Sequence, residues 1–211
     1  MLPRWTETLA VRNKAQAWVF AALKEMRQKL PFSLLGIDSD NGSEFINKDL
    51  LEYCQKQKLS FTRSRPYRKN DNCFVEQKNY SVVRRAVGYA RYDTEAQLYL
   101  LNELYATLRL YTNFFQPTMK LKAKERVGSK VIKRYDRAQT PYQRVLAAAQ
   151  VSEPEKERLR AKYKTLNPAA LKRKLMRLQE RLIKSRPATK AVRVRPRQCN
   201  NDRYFSKQPE R

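Results

Sequence analysis

A large excess of positive charge limits the folds open to this chain. Its 211 residues carry 46 Lys and Arg against 20 Asp and Glu, a formal net charge of +26. A compact fold with that excess repels itself unless a polyanion neutralises it. Nucleic acid is the first candidate partner and an anionic membrane surface the second; a basic, ribosomal-type protein with a solvated surface is the alternative. Since 41% of the residues are hydrophobic, the chain can still bury a core.

The residue types that are scarce exclude several classes of function. The chain has no histidine, and its three cysteines (Cys54, Cys73 and Cys199) form no C-x-x-C pair, so a structural zinc site is excluded. Ser-His and Cys-His catalysis are excluded as well, so acid-base or metal chemistry has to rest on carboxylates. No run of about 18 apolar residues and no secretory signal is visible, which predicts a cytoplasmic protein without a membrane span.

The periodicity of the apolar residues predicts an α/β fold. Alternation and short apolar runs predict strands, and apolar residues three and four apart predict helices. In chain order the prediction is a strand at 5–11, a helix at 14–29, a strand at 32–37, a helix at 48–58, a strand at 59–62 and helices at 72–89 and 94–115. This order favours a sheet with parallel pairing inside it.

The character of the sequence changes after Pro117. We therefore divide the chain into a core at 1–117, a basic segment at 118–150, a charged helical region at 151–184 and a basic tail at 185–211 that is predicted to be disordered. A short helix is predicted after Thr140-Pro141, and a break in the charged helical region at Asn167-Pro168. The leucines of that region recur at helical spacing and predict packing against another helix, with pairing to a partner chain as the alternative; they are Leu171, Leu175, Leu178 and Leu182.

Two acids stand out from the basic background. Asp40 follows an apolar strand and opens a tight turn, and Glu76 lies in the first turn of a predicted helix, with 35 residues between them. Oxygen ligands held on a strand end and on a helix suit Mg²⁺. Taken singly, Asp40 is explained as a turn residue and Glu76 as a favourable charge at a helix start. An EF-hand at 38–42 is excluded, because its glycine comes one position early and no closing glutamate follows.

With their flanks, these acids resemble a known family. The sequence D-N-G-S-E-F at 40–45, followed by V-E-Q-K-N at 75–79, is similar to the second and third parts of the D,D-35-E triad of retroviral integrases and bacterial transposases. P-Y at 66–67 and N-D-N at 70–72 match the active-site loop of that family. Y-T-N-F-F-Q-P at 111–117 and T-P-Y-Q-R-V-L at 140–146 resemble bacterial insertion-sequence transposases.

The resemblance implies an RNase H-like integrase core that transfers DNA strands. It implies that Asp40 and Glu76 are catalytic and bind two Mg²⁺ or Mn²⁺ ions. DNA is the implied partner, homo-oligomers are common in the family, and a bacterial, nucleoid-associated location follows. The residues implied to contact DNA near the site are Arg63, Arg65, Arg68, Lys69, Lys78 and Asn79.

One departure from the family concerns the first aspartate of the triad, which the family carries on its first strand. Only 39 residues precede Asp40, and the stretch at 4–7 resembles the third strand of the family, so Glu7 would lie on the wrong strand. We therefore expect an N-terminally truncated core that lacks the first two strands and is inactive as it stands. The alternative is a non-catalytic, nucleic-acid-binding remnant of a transposase gene.

Overall fold

The computed structural model describes residues 4–40, 42, 48–65 and 78–186. It is a mixed α/β structure in which helices predominate and the sheets are small. The elements in chain order are α1 (Gln16–Lys29), β1 (Gly36–Ser39), α2 (Lys48–Lys56), β2 (Ser60–Arg63), a π-helix (Asn79–Arg84), α3 (Arg85–Val87), α4 (Glu95–Phe115), β3 (Leu121–Val127), β4 (Lys130–Tyr135), α5 (Pro141–Leu146), α6 (Glu153–Lys164) and α7 (Pro168–Lys184).

The predicted parallel pairing is present between β1 and β2. The two strands pair in register from Gly36 with Ser60 to Ser39 with Arg63, and α2 lies between them in sequence. Gly36 is required by this pairing, because a Cβ atom there would lie 1.9 Å from the Ser60 hydroxyl oxygen. The strand predicted at 32–37 therefore begins four residues later than expected. A small core covers this sheet and is formed by Leu50, Cys54 and Leu59, with Phe20, Leu23, Leu34, Ile37, Tyr53 and Phe61 packed against them.

The strand predicted at 5–11 is not formed. These residues instead run along α4, where two asparagine side chains pair with their backbone. Asn113 Oδ1 accepts from the Thr6 N–H at 2.9 Å and its amide nitrogen donates to the Thr6 carbonyl at 2.8 Å. Asn102 binds the N–H and carbonyl of Ala10 in the same way, at 2.8 and 3.2 Å. The amides thus supply the backbone partners that a neighbouring strand would have supplied.

The predicted leucine stripe packs inside the chain. The helix predicted at 151–184 is broken as expected, with the Asn167 side chain capping α7. Leu175, Leu178 and Leu182 of α7 are buried against α4, whose Leu104 is 0% exposed. The predicted packing against another helix is therefore confirmed within the chain itself.

A second core forms where α4 ends. It consists of Phe114, Tyr142, Val145, Val151 and Leu159. The helix predicted after Thr140 is confirmed as α5, whose first turn is closed by a capping box: the Thr140 hydroxyl accepts from the Gln143 N–H, and the Gln143 side chain accepts from the Thr140 N–H.

The basic segment contains a β-hairpin that the sequence analysis did not predict. β3 and β4 pair antiparallel, and nearly every residue of both strands is exposed. Gly128 in the connecting turn has a φ of 61°, a conformation that glycine adopts without strain. Among the described helices, none is both long and apolar enough to cross a membrane.

Candidate metal and nucleic-acid site

Asp40 lies directly after the last residue of β1. Its side chain is half-buried, and Oδ1 accepts from the Gly42 N–H at 3.0 Å. This is the turn role that explains the residue without any ligand. The same contact also fixes the orientation of the carboxylate at the end of the strand, which is what a metal ligand requires. The turn and the ligand interpretation are therefore compatible.

Two of the predicted DNA-contacting arginines lie at the same edge of the sheet as Asp40. Because β1 and β2 are parallel, their carboxyl ends meet at one edge, and Ser39 is paired with Arg63. The pairing continues beyond the strands, since the Ser64 N–H donates to the Ser39 carbonyl at 2.9 Å. Arg63 and Arg65 are both exposed. This edge thus combines a fixed carboxylate with two cations of a kind that binds phosphate groups.

Lys78 and Asn79 occupy the start of the π-helix region. Lys78 Nζ donates to the Thr6 hydroxyl at 2.8 Å, and burial, together with the nearby charge of Arg4, lowers the pKa of this lysine from its usual value. Lys78 therefore holds the N-terminal segment in place. Asn79 is exposed and is the first residue of the π-helix, a rare type of helix that occurs frequently at functional sites.

The remaining predicted site residues, Glu76, Arg68 and Lys69, lie outside the described residues. The pairing of Asp40 with Glu76 therefore stays a prediction. Within residues 4–40, 42, 48–65 and 78–186, no three His, Cys, Asp or Glu side chains are grouped so that they could hold a metal ion. Asp40 is a hard oxygen ligand and fits Mg²⁺ as one member of a site that needs further carboxylates.

A buried ion pair that the sequence analysis missed fixes the base of the hairpin. Arg144 Nη1 and Nη2 donate to the two carboxylate oxygens of Asp136 at 2.7 and 3.2 Å, with the side chains only 7% and 12% exposed. Asp136 also accepts from the Lys120 N–H at 2.5 Å, and Arg144 donates to the Thr118 carbonyl at 2.7 Å. These hydrogen bonds from Arg144 and Lys120 lower the pKa of Asp136 to about 2. No local pattern in the sequence predicts that Asp136 and Arg144 form an ion pair.

The low pKa of Asp136 predicts a dependence of stability on acid. A carboxyl whose pKa falls on folding stabilises the folded state at neutral pH, and that contribution is lost as the pH falls through about 4 toward about 2. We expect Asp136→Asn to lower the melting temperature at pH 7, and the difference from the unsubstituted protein to shrink steadily between pH 4 and pH 2. Thermal melting followed by circular dichroism measures both. Asp93→Asn, at an exposed carboxylate, is the control; a constant difference for Asp136→Asn at every pH would contradict the ion pair.

Comparison with known proteins finds a similar protein, whose activity is not described. No protein-family model matches the chain. The chain is 48% identical over 131 residues to a protein of Sinorhizobium fredii, y4rM, which is itself described as uncharacterized. The aligned region is 62% of this chain and 37% of that protein, so the chain spans little more than a third of its relative's length.

Proposed function

We propose that this chain carries part of the catalytic core of a DDE-type integrase or transposase with an RNase H-like fold. One observation supports the proposal most: a fixed carboxylate, Asp40, directly follows a strand of a parallel pair, with Arg63 and Arg65 at the same edge. The D-35-E spacing to Glu76 and the flanking motifs point the same way. DNA is the proposed substrate, and self-association is proposed from the resemblance alone.

Each residue of the proposed site has a separate task. Asp40 and Glu76 would hold Mg²⁺, which supplies charge neutralisation at a phosphodiester and lowers the pKa of a nucleophilic water or DNA 3′-hydroxyl. Arg63 and Arg65 bind neighbouring phosphates and so set the position of the strand relative to Asp40. Lys78 ties the start of its helix to residue Thr6, which helps to hold that helix in place.

A second function is a non-catalytic DNA-binding protein that descends from the same kind of gene. It is favoured by the shortage of acids: the described part of the chain offers Asp40 at this edge but no grouping of three ligands. It accounts equally well for the charge of +26. The two functions differ in whether Asp40 is needed for anything beyond the turn.

The experiment that separates the two functions is a DNA-cleavage assay. A supercoiled plasmid is incubated with the protein in Mg²⁺ or Mn²⁺ and scored for nicked circles, and a labelled duplex in the same reaction reports joining. The protein is used in two forms. One is the 211-residue chain, and the other is a fusion that adds at its N-terminus the first two strands of an integrase core, the first of which carries the aspartate. Nicking that depends on the metal, on the fusion and on Asp40 supports the catalytic proposal, and DNA binding without nicking in any form supports the second.

A further inference from the structure

The β3–β4 hairpin is firmly held at its base and bare along its length. At the base, Asp136 and Arg144 form their ion pair, the Asp136 N–H donates to the Lys120 carbonyl at 2.9 Å, and Thr118 pairs with Gln139. Beyond the base, the strands bury almost no side chain. An isolated two-stranded hairpin in water is at best marginally stable. Such an element, fixed in position yet unpacked, is suited to contact a partner.

The two faces of the hairpin differ in charge. Side chains of paired residues share a face, and successive residues alternate. One face, called here the basic face, carries Leu121, Lys124, Arg126, Val131, Lys133 and Tyr135. The opposite face carries Ala123, Glu125, Val127, Lys130, Ile132 and Arg134. Among the paired residues, the basic face thus has three cations and no acid, whereas the opposite face has two cations and one acid. Lys122 lies at the register shift between Leu121 and Ala123 and is assigned to neither face.

The cations of the basic face are placed where they repel each other. Lys124 is directly opposite Lys133 in the antiparallel register, and Arg126 follows two residues after Lys124 on the same face. Like charges directly opposite on neighbouring strands destabilise a sheet. The hairpin therefore carries an electrostatic cost in the free protein, which a bound polyanion would relieve. The charge pattern suits ligand binding better than it suits hairpin stability.

We propose that the basic face binds duplex DNA through its backbone phosphates. The duplex carries about one negative charge per 1.7 Å of its axis, so a compact group of three cations can meet several phosphates at once. Contacts to backbone phosphates carry no sequence information, so the binding is expected to show little sequence preference.

An anionic membrane surface fits the hairpin less well. A membrane-binding element places its apolar side chains on one face and its cations on the other. In this hairpin, exposed apolar residues occur on both faces: Val131 and Tyr135 on the basic face, Val127 and Ile132 on the opposite one. The apolar and cationic side chains are therefore not segregated, and duplex DNA is the partner that the charge pattern favours.

This inference does not depend on the proposed catalytic function. It rests on the hairpin alone, and Asp40 follows a strand of the other sheet. A protein that binds DNA through the basic face but never nicks it would contradict the catalytic proposal alone. A basic-face variant that binds DNA normally would contradict the hairpin proposal alone, so the two proposals fail separately.

The test uses two variants that lower the charge of the same hairpin by the same amount. Lys124→Gln with Lys133→Gln removes two cations from the basic face, and Lys130→Gln with Arg134→Gln removes two from the opposite face. Fluorescence anisotropy with a labelled duplex of random sequence measures affinity at several salt concentrations. We expect the basic-face variant to bind about 10- to 100-fold more weakly at 0.1 M salt, with the log–log salt slope smaller by about 1.8. The opposite-face variant is expected to change affinity less than about threefold.

Folding is controlled by charge-retaining substitutions and by melting. Lys124→Arg with Lys133→Arg keeps both charges and is expected to bind like the unsubstituted protein. The basic-face Gln variant is expected to melt no lower than the unsubstituted protein, because it removes a repulsive pair. Equal weakening by the two Gln variants, or unchanged binding by the basic-face variant, would overturn the proposal. So would binding to phosphatidylserine vesicles that exceeds DNA binding and is lost in the basic-face variant.

Discussion

The 211-residue chain is expected to leave a supercoiled plasmid intact in Mg²⁺ or Mn²⁺, whereas the fusion that supplies the first strands is expected to nick it. Under the proposed function, the chain brings Asp40 and Glu76 but no aspartate that corresponds to the first member of the triad. Two carboxylates offer too little negative charge to hold two dications beside a phosphate. Efficient nicking by residues 1–211 alone would show that the first aspartate is not needed.

The decisive variants are made in the active fusion. Asp40→Asn and Glu76→Gln each remove one metal-binding oxygen charge and are expected to lower the nicking rate by about 10³-fold or more, since charge stabilisation of the transition state is the main contribution to such catalysis. Asp38→Asn is the matched control, because Asp38 is an exposed carboxylate on the same strand whose Oδ1 accepts from the Thr62 hydroxyl at 2.9 Å. It is expected to keep the rate within about threefold. Full activity of the Glu76→Gln variant would show that Glu76 is not a ligand of the catalytic metal and would refute the proposed metal site.

Long amphipathic helices were the part of the fold that the sequence predicted well. The helix predicted at 94–115 is α4, which runs from Glu95 to Phe115, and α7 begins at Pro168, at the predicted break. These helices form because one apolar stripe can bury itself against another, whatever the rest of the chain does. The position of Asp40 directly after a strand was also predicted, although that strand is Gly36–Ser39 and not the apolar run at 32–37.

The predicted strand at 5–11 was wrong for a physical reason. The side chains of an extended segment at 5–11 alternate between two faces, a pattern that suits any surface that buries one of them. In this protein the segment packs on α4 and not beside another strand. The backbone partners that decide between the two come from Asn102 and Asn113, about a hundred residues later in sequence. The contact of Lys78 with Thr6 was missed for the same reason. Pairings at such a separation leave no periodic trace near either residue.

The β3–β4 hairpin was missed because it has no buried face. Strand prediction relies on alternation between apolar and polar residues, and a ribbon exposed on both sides does not need that alternation. The local signal that remained was Gly128-Ser129 between two basic runs, a pair typical of a two-residue hairpin turn. Turn chemistry was thus more informative here than hydrophobic pattern.

Two of the motifs that carry the family resemblance have structural roles in this chain. Asn113, in the motif at 111–117, pairs with the Thr6 backbone, and Arg144, in the motif at 140–146, holds Asp136 at the base of the hairpin. These residues position the N-terminal segment and the hairpin, so both motifs have a structural role in this chain. The catalytic part of the resemblance depends on Asp40 and Glu76.

Replacing Asn113 tests how strongly α4 organises the N-terminal segment. Asn113 is 0% exposed, and both the oxygen and the nitrogen of its side-chain amide form hydrogen bonds with the Thr6 backbone. Asn113→Ala leaves a backbone N–H and a carbonyl without their partners, and each such loss costs about 1 to 3 kcal/mol in a buried setting. We expect the free energy of unfolding to fall by about 2 to 4 kcal/mol, measured by urea denaturation with an unchanged slope.

The matched control is Asn102→Ala, which loses the same two kinds of hydrogen bond at Ala10 but at a half-buried position. Water can reach the Asn102 side chain more easily than the fully buried Asn113, so the expected loss is smaller, about 1 to 2 kcal/mol. Limited trypsin digestion adds a local readout, since release of the segment lets its backbone enter the protease and be cut after Arg4 and Arg12. In Asn113→Ala, cleavage there should precede global unfolding. A stability change below about 0.5 kcal/mol, with the segment still protected, would mean that the apolar contacts of Trp5 with Phe114 hold it without the amide.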